Sequence, residues 1–121
     1  MKFTIPLNPT TKKNSQRIIT MEGSPLIVQS SRFLKYQRDA GYFIPKVDDP
    51  IDYPINLRAH YYRKTKHRID LPNLNAALHD ILVHYKLLKD DNCKIIVSTD
   101  GSRVFFDKYD PRTEVEIENV T

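Results

Sequence analysis

The sequence predicts one α+β domain over residues 1–121, a small mixed β-sheet packed by two main helices. Three observations predict it. Ile55, Leu57, Ala59 and Tyr61 alternate with Asn56, Arg58, His60 and Tyr62, the period of two that marks a half-buried strand. Leu74, Ala77, Leu78, Ile81, Leu82 and Tyr85 recur at helical spacing, which gives one apolar stripe between about Pro72 and Tyr85. Strand and helix patterns do not alternate strictly along the chain, which argues against a doubly wound parallel sheet. At 121 residues the chain is long enough for one substantial core and too short for two.

The remaining elements follow in order. Residues 2–8 read as a strand, followed by a polar loop from Pro9 to Gln16. Segments 17–20 and 26–29 are short strand candidates around the turn Gly23–Ser24–Pro25. Ser30 or Ser31 is placed to cap a helix running to about Ile44, with Phe33, Leu34, Tyr36, Ala40 and Phe43 as its apolar positions and Pro45 as its stop. Val47 to Tyr53, with three acids and Pro50, reads as a surface loop. After the second helix comes a turn with Asp90 and Asp91, then a strand from Cys93 to Thr99. The turn Asp100–Gly101–Ser102 predicts that Arg103 to Tyr109 returns as a hairpin partner. Val115 and Ile117, alternating with Glu114, Glu116 and Glu118, form a last strand.

Composition narrows the function. No stretch approaches the roughly 20 apolar residues of a membrane span, and Met1 leads directly into strand-like sequence, so a soluble, cytoplasmic protein is expected. The one cysteine, Cys93, excludes an internal disulfide and a cysteine-based zinc cluster, and beside an apolar run it reads as a buried strand thiol. The formal net charge is +4, and its distribution says more than its sum. Lys12 and Lys13 form one basic cluster; Arg63, Lys64, Lys66, His67 and Arg68 form a second. The acids gather elsewhere, at Asp48, Asp49 and Asp52, at Asp90 and Asp91, and near the end of the chain. That separation suits a polyanionic partner accompanied by its own metal ion.

Phosphodiester hydrolysis needs a water activated near neutral pH and a phosphate whose charge is offset as the bond breaks. Magnesium supplies both, and it takes only one or two carboxylates from a protein. Asp70 at the helix entrance, Asp80 within the helix, and Asp90 and Asp91 just beyond it make such a set. Asp80 lies seven residues after Asn73, about two turns on, so both share a face distinct from the core stripe. Asp90 and Asp91 meet Asp70 only if the chain folds back along the helix or a second subunit contributes. Each acid also has an ordinary role open to it: Asp70 as an N-cap, Asp80 as a partner of His84 at i+4, Asp90–Asp91–Asn92 as a turn. His79 and His84 lack the spacing of a zinc site and read as surface or helix-lining residues.

The run Arg68–Ile69–Asp70–Leu71–Pro72–Asn73–Leu74, with Ala77, Asp80 and Leu82 and then Leu88–Lys89–Asp90–Asp91, resembles the RusA-type Holliday junction resolvases of phages and prophages. In that family basic residues precede an Asp-Leu-Asp-Asn-Leu helix entry, and an aspartate pair precedes a strand. The opening strand with Pro9 to Asn14 and the closing Pro111 to Ile117 are similar too, so the likeness spans most of the chain. It implies a RusA-like dimeric fold and a homodimer that nicks opposed strands of a four-way junction with magnesium, or manganese, in DNA recombination and repair. Asp70 and Asp91 are then the metal-binding carboxylates, with Asp90 adjacent. Two positions depart from the pattern. Pro72 stands where the family has a second aspartate, and Ala76 where it has a lysine near the scissile phosphate. Asp80 is the candidate to supply the missing carboxylate, Lys66 or Arg68 the missing cation, and Asn73 to orient Asp70 or a water; Asp100 is another candidate acid.

Two functions of different class follow. The first is an active, metal-dependent endodeoxyribonuclease with Asp70, Asp80 and Asp91 as catalytic residues. Lys12, Lys13, Asn14, Arg63, Lys64, Lys66, Arg68 and Asn73 would contact DNA, chiefly its phosphates. The second is a branched-DNA-binding protein of the same fold with little or no nuclease activity, which Pro72 and Ala76 suggest. A small RNA-binding module is a third reading; against it, no aromatic pair stands at the spacing of a stacking platform.

Overall fold

The structure, a computed structural model, describes residues 1–12, 16–21, 23–29 and 31–121, with side chains for 1–12, 23 and 31–121. Lys13, Asn14 and the candidate cap Ser30 lie outside the described residues. The main sheet is mixed, as the sequence predicts. β1 (Lys2–Ile5) pairs antiparallel with β7 (Arg112–Asn119), and β7 pairs antiparallel with β4 (Ile55–Arg63). β5 (Ile96–Ser98) and β6 (Arg103–Phe106) both lie parallel to the other side of β4. A separate antiparallel ribbon joins β2 (Gln16–Met21) to β3 (Ser24–Gln29) through Gly23, whose φ of +81° suits a residue without Cβ. The helices are α1 (Ser31–Ala40) and α2 (Leu71–His84).

The alternation in β4 sorts its side chains as expected. Ile55, Leu57, Ala59 and Tyr61 are buried in one core cluster with Val115 and Ile117 of β7, and the intervening residues stay half-buried. Leu74, Ala77, Leu78, Ile81 and Leu82 of α2 and Phe33, Tyr36 and Ala40 of α1 close that face. Each large apolar side chain so buried contributes about 1.5–3 kcal/mol. The opposite face of the sheet carries Asn56, Arg58, His60, Glu114 and Glu116, and none of the described helices covers it. Among the described residues no helix is long and apolar enough to cross a membrane.

Several boundaries differ from the sequence reading. β1 ends at Ile5, because Pro6 has no N–H to continue the ladder. The α1 helix gives way after Ala40 to a 3-10 turn, Gly41–Phe43, rather than running to Ile44. There Gly41 lies against Tyr85, whose hydroxyl donates to Gln37 O at 2.7 Å; a Cβ on Gly41 would come within 2.4 Å of the ring. Cys93 is exposed in a turn ahead of β5, not buried in a strand, since Asn92 O takes the backbone N–H groups of Ile95 and Ile96.

The largest correction concerns β5 and β6, which are not a hairpin. Both run in the same direction as β4, β5 beside Ile55–Asn56 and β6 beside His60–Arg63, with Thr99 to Ser102 as the break between them. The sequence signal Asp100–Gly101 is real but local. Gly101 has φ +86°, and its missing Cβ leaves room for the Arg58 side chain, so this turn steps the chain over Arg58 without reversing it. Asn56 fixes the step: its Oδ1 accepts from Asp100 N at 2.8 Å and from Ser98 Oγ at 2.6 Å.

Candidate acidic site and nucleic-acid interface

Asp70 immediately precedes α2, and Pro72 sits in the first turn, where a missing N–H costs little. The Asp70 carbonyl accepts from Asn73 N at 3.0 Å and Leu74 N at 3.2 Å, but its carboxylate makes no capping bond. The side chain is exposed, with the Asn73 amide 3.4 Å away, a long contact. The N-cap reading therefore does not account for this carboxylate.

Asp80 lies ten residues further along, about 15 Å of helix rise. It pairs with Lys12 at 2.5 Å rather than with His84, whose ring packs edge-on against Tyr85. Beyond α2 the chain reverses. Tyr85 N, Lys86 N and Leu87 N return to the last helical carbonyls, with Lys86 at φ +63°, and Leu87 and Leu88 then enter the core. Ile51 pins this return through Ile51 N to Leu87 O at 2.9 Å and Lys89 N to Ile51 O at 3.0 Å.

Asp90 and Asp91 follow that reversal. Asp90 behaves as a turn residue, accepting from Asp91 N at 2.7 Å and from the Asn92 amide at 3.1 Å. Asp91 differs. Its carboxyl is raised above the ordinary carboxylate range, first by loss of solvent, then by its contact with Asp90 and by the charge of Asp80. Acids from α2 and from the following turn thus act on one another, Asp80 with Asp91, and Asp90 alongside. Asp70 stands at the other end of α2. Among the described residues no three His, Cys, Asp or Glu side chains gather into a ready metal cage. His79, next to Asp80, keeps its Nε2 out of water and without a partner, and burial lowers its pKa against the opposing pull of Asp80.

The basic residues collect at the end where β4 leaves the sheet. Arg63 Nη1 donates to His67 O at 2.7 Å, which folds the loop back on itself. Its Nε is buried without a partner, and its pKa is lowered, first by burial and then by the charge of Arg32. A half-buried guanidinium with a second one nearby is a setting that an anion would relieve. Lys64 N donates to Asn8 Oδ1 at 2.9 Å, tying the loop before Lys12 to this rim. Lys64, Lys66 and Arg68 are exposed or nearly so.

Sequence reasoning missed Arg32, because 31 residues separate it from Arg63 and only the fold joins them. It also missed the aromatic side chains that β4 and β6 bring together. Tyr62 stacks on Phe105 at 4.8 Å, and Arg112 lies 3.8 Å from the Tyr62 ring. The open sheet face holds two clefts of about 350 and 430 Å³, lined by both signs of charge, with Arg58 paired to Glu116. That mixed lining lacks the single sign a polyanion site needs. No protein-family model and no curated protein matches this chain.

Proposed function

We propose that the chain is a magnesium-dependent endonuclease selective for branched DNA, which resolves four-way junctions by paired nicks as a homodimer. The observation that carries the reading is the return of the chain after α2, which sets Asp91 beside Asp90 and within reach of Asp80's charge. The Asp91 carboxyl is raised first by loss of solvent, then by Asp90 and by Asp80. Repulsion of that kind is what a bound cation relieves. Magnesium keeps several waters and takes one or two carboxylates, so Asp80 and Asp91, with Asp90 beside them, would hold it without a larger cage. A divalent ion there would offset charge on the phosphate and lower the pKa of an attacking water.

The chain's own residues would do the rest. Arg63, Arg32, Lys64 and Arg68 would hold phosphates flanking the cut, giving affinity that falls steeply with salt and reads no bases. Asp70, ten residues before Asp80 and at the opposite end of α2, would reach such an ion only from the second subunit of the homodimer. Lys12 must yield Asp80 when the cation binds, so the ammonium serves as its counter-ion in the empty state.

A second reading is favoured by specific observations. Pro72 and Ala76 stand where RusA-type resolvases have an aspartate and a lysine, Lys12 already pairs with Asp80, and no triple acid group forms among the described residues. These suit a protein that binds branched DNA without cutting it. A labelled four-way junction incubated with the protein and magnesium or manganese separates the two. Paired symmetric nicks support the nuclease; a retarded but intact junction supports the binder.

A further inference from the structure

Phe106 and Tyr109 expose 46% and 91% of their surface, at the same end of the sheet as the basic loop. Neither is on a loose segment. Phe106 ends β6 opposite Arg63, and Asp107 N donates to Arg63 O at 2.8 Å. The Asp107 carboxylate accepts from Tyr109 N and Asp110 N, both at 3.1 Å, and Arg112 reaches Asp107 and Asp110 at 3.1 and 3.3 Å. A turn locked in this way holds the Tyr109 ring out in water. Each ring carries a cation over one face, the Lys66 ammonium 4.9 Å from the Phe106 centroid and the Lys108 ammonium 5.8 Å from that of Tyr109, which leaves the other face for a base.

We infer that Phe106 and Tyr109 form a stacking station for unpaired bases of a DNA strand, with Lys66 and Lys108 taking the adjoining phosphates. The inference rests on the DNA-binding reading above and names what part of the substrate this end engages. Rigid exposed rings beside lysines are the chemistry of single-strand binding, where bases stack on aromatic faces and cations follow the backbone. The nearby acids do not oppose it, because Arg112, Lys66 and Lys108 together balance Asp107, Asp110 and Glu114. A duplex conceals its base faces, so these rings select DNA with unpaired nucleotides, as at a branch point or a tail.

The test measures binding, in EDTA, to a blunt duplex and to the same duplex with a short single-stranded tail containing 2-aminopurine. The wild type should prefer the tailed DNA and change the 2-aminopurine emission on binding. Tyr109→Ala and Phe106→Ala should each weaken binding to the tailed DNA by about 10-fold and leave the blunt duplex unaffected. Tyr109→Phe, which keeps the ring, should retain the preference. If the alanine variants match the wild type on tailed DNA, with the same emission change, the station is refuted while the DNA-binding reading stands. If the wild type binds neither DNA, both are refuted.

Discussion

The ammonium of Lys12 lies 2.5 Å from the carboxylate of Asp80, across 68 residues of sequence, and joins the loop after β1 to the acidic end of α2. Both side chains keep about a third or more of their surface in water, so the pair adds little stability, on the order of 0–1 kcal/mol. Its weight is electrostatic. We expect Lys12→Met to lower the magnesium concentration for half-maximal nicking several-fold, because the metal no longer competes with an ammonium. A magnesium titration of junction cleavage checks this.

Asp70→Asn, Asp80→Asn and Asp91→Asn are each expected to reduce nicking at least about 100-fold while junction affinity in EDTA changes little. Gel retardation and cleavage of one labelled junction measure both quantities. Normal cutting by all three variants would remove the acids from the mechanism.

The pH dependence of stability follows from Asp91. Its folded-state pKa lies above the ordinary 3.8, so the folded chain binds this proton more tightly than the unfolded chain does. The stabilising effect is full below 3.8 and is lost as pH rises through the elevated folded value. Above that value the ionised carboxylate works against folding. Asp91→Asn should therefore raise Tm at pH 7. Magnesium should raise Tm in the wild type more than in this variant, by thermal melts with and without the ion.

Lys86 occupies the left-handed region at φ +63°, a conformation that costs a non-glycine residue about 1–2 kcal/mol. Lys86→Gly removes that strain but adds freedom to the unfolded chain, so a net gain of about 0.5–1 kcal/mol is expected. Urea unfolding should show a higher midpoint with an unchanged slope.

Gly41→Ala is expected to destabilise by about 1–3 kcal/mol, since its methyl would meet the Tyr85 ring, which is anchored by its hydroxyl on Gln37 O. The double variant Gly41→Ala with Tyr85→Leu should lose less than the sum of the two single changes. Chemical denaturation of the four proteins closes the cycle.

What the sequence disclosed was whatever depends on neighbours along the chain. The β4 alternation and the α2 stripe are periodic signals, and the residues they mark as apolar are buried, save Tyr85, which is half-buried just past the helix end. Pairing is not periodic. Asp100–Gly101 carries the composition of a hairpin turn, yet β6 meets β4 because the Asn56 amide oxygen and the space over Arg58 redirect the chain. At the acidic site Asp70, Asp80, Asp90 and Asp91 are all candidates by sequence, and the length of α2 holds Asp70 apart from the other three. The Lys12 contact and the Arg32–Arg63 encounter arise from tertiary packing, and no local pattern encodes them.

The interruption between β5 and β6 also bears on how copies of the chain avoid one another. An outer strand that runs unbroken offers a ladder of vacant amides and carbonyls on which a second sheet can grow. Here that border is divided into segments of three and four residues by a glycine-containing step. The same kink that seats Arg58 thus discourages fibre-like accretion along this flank of the molecule.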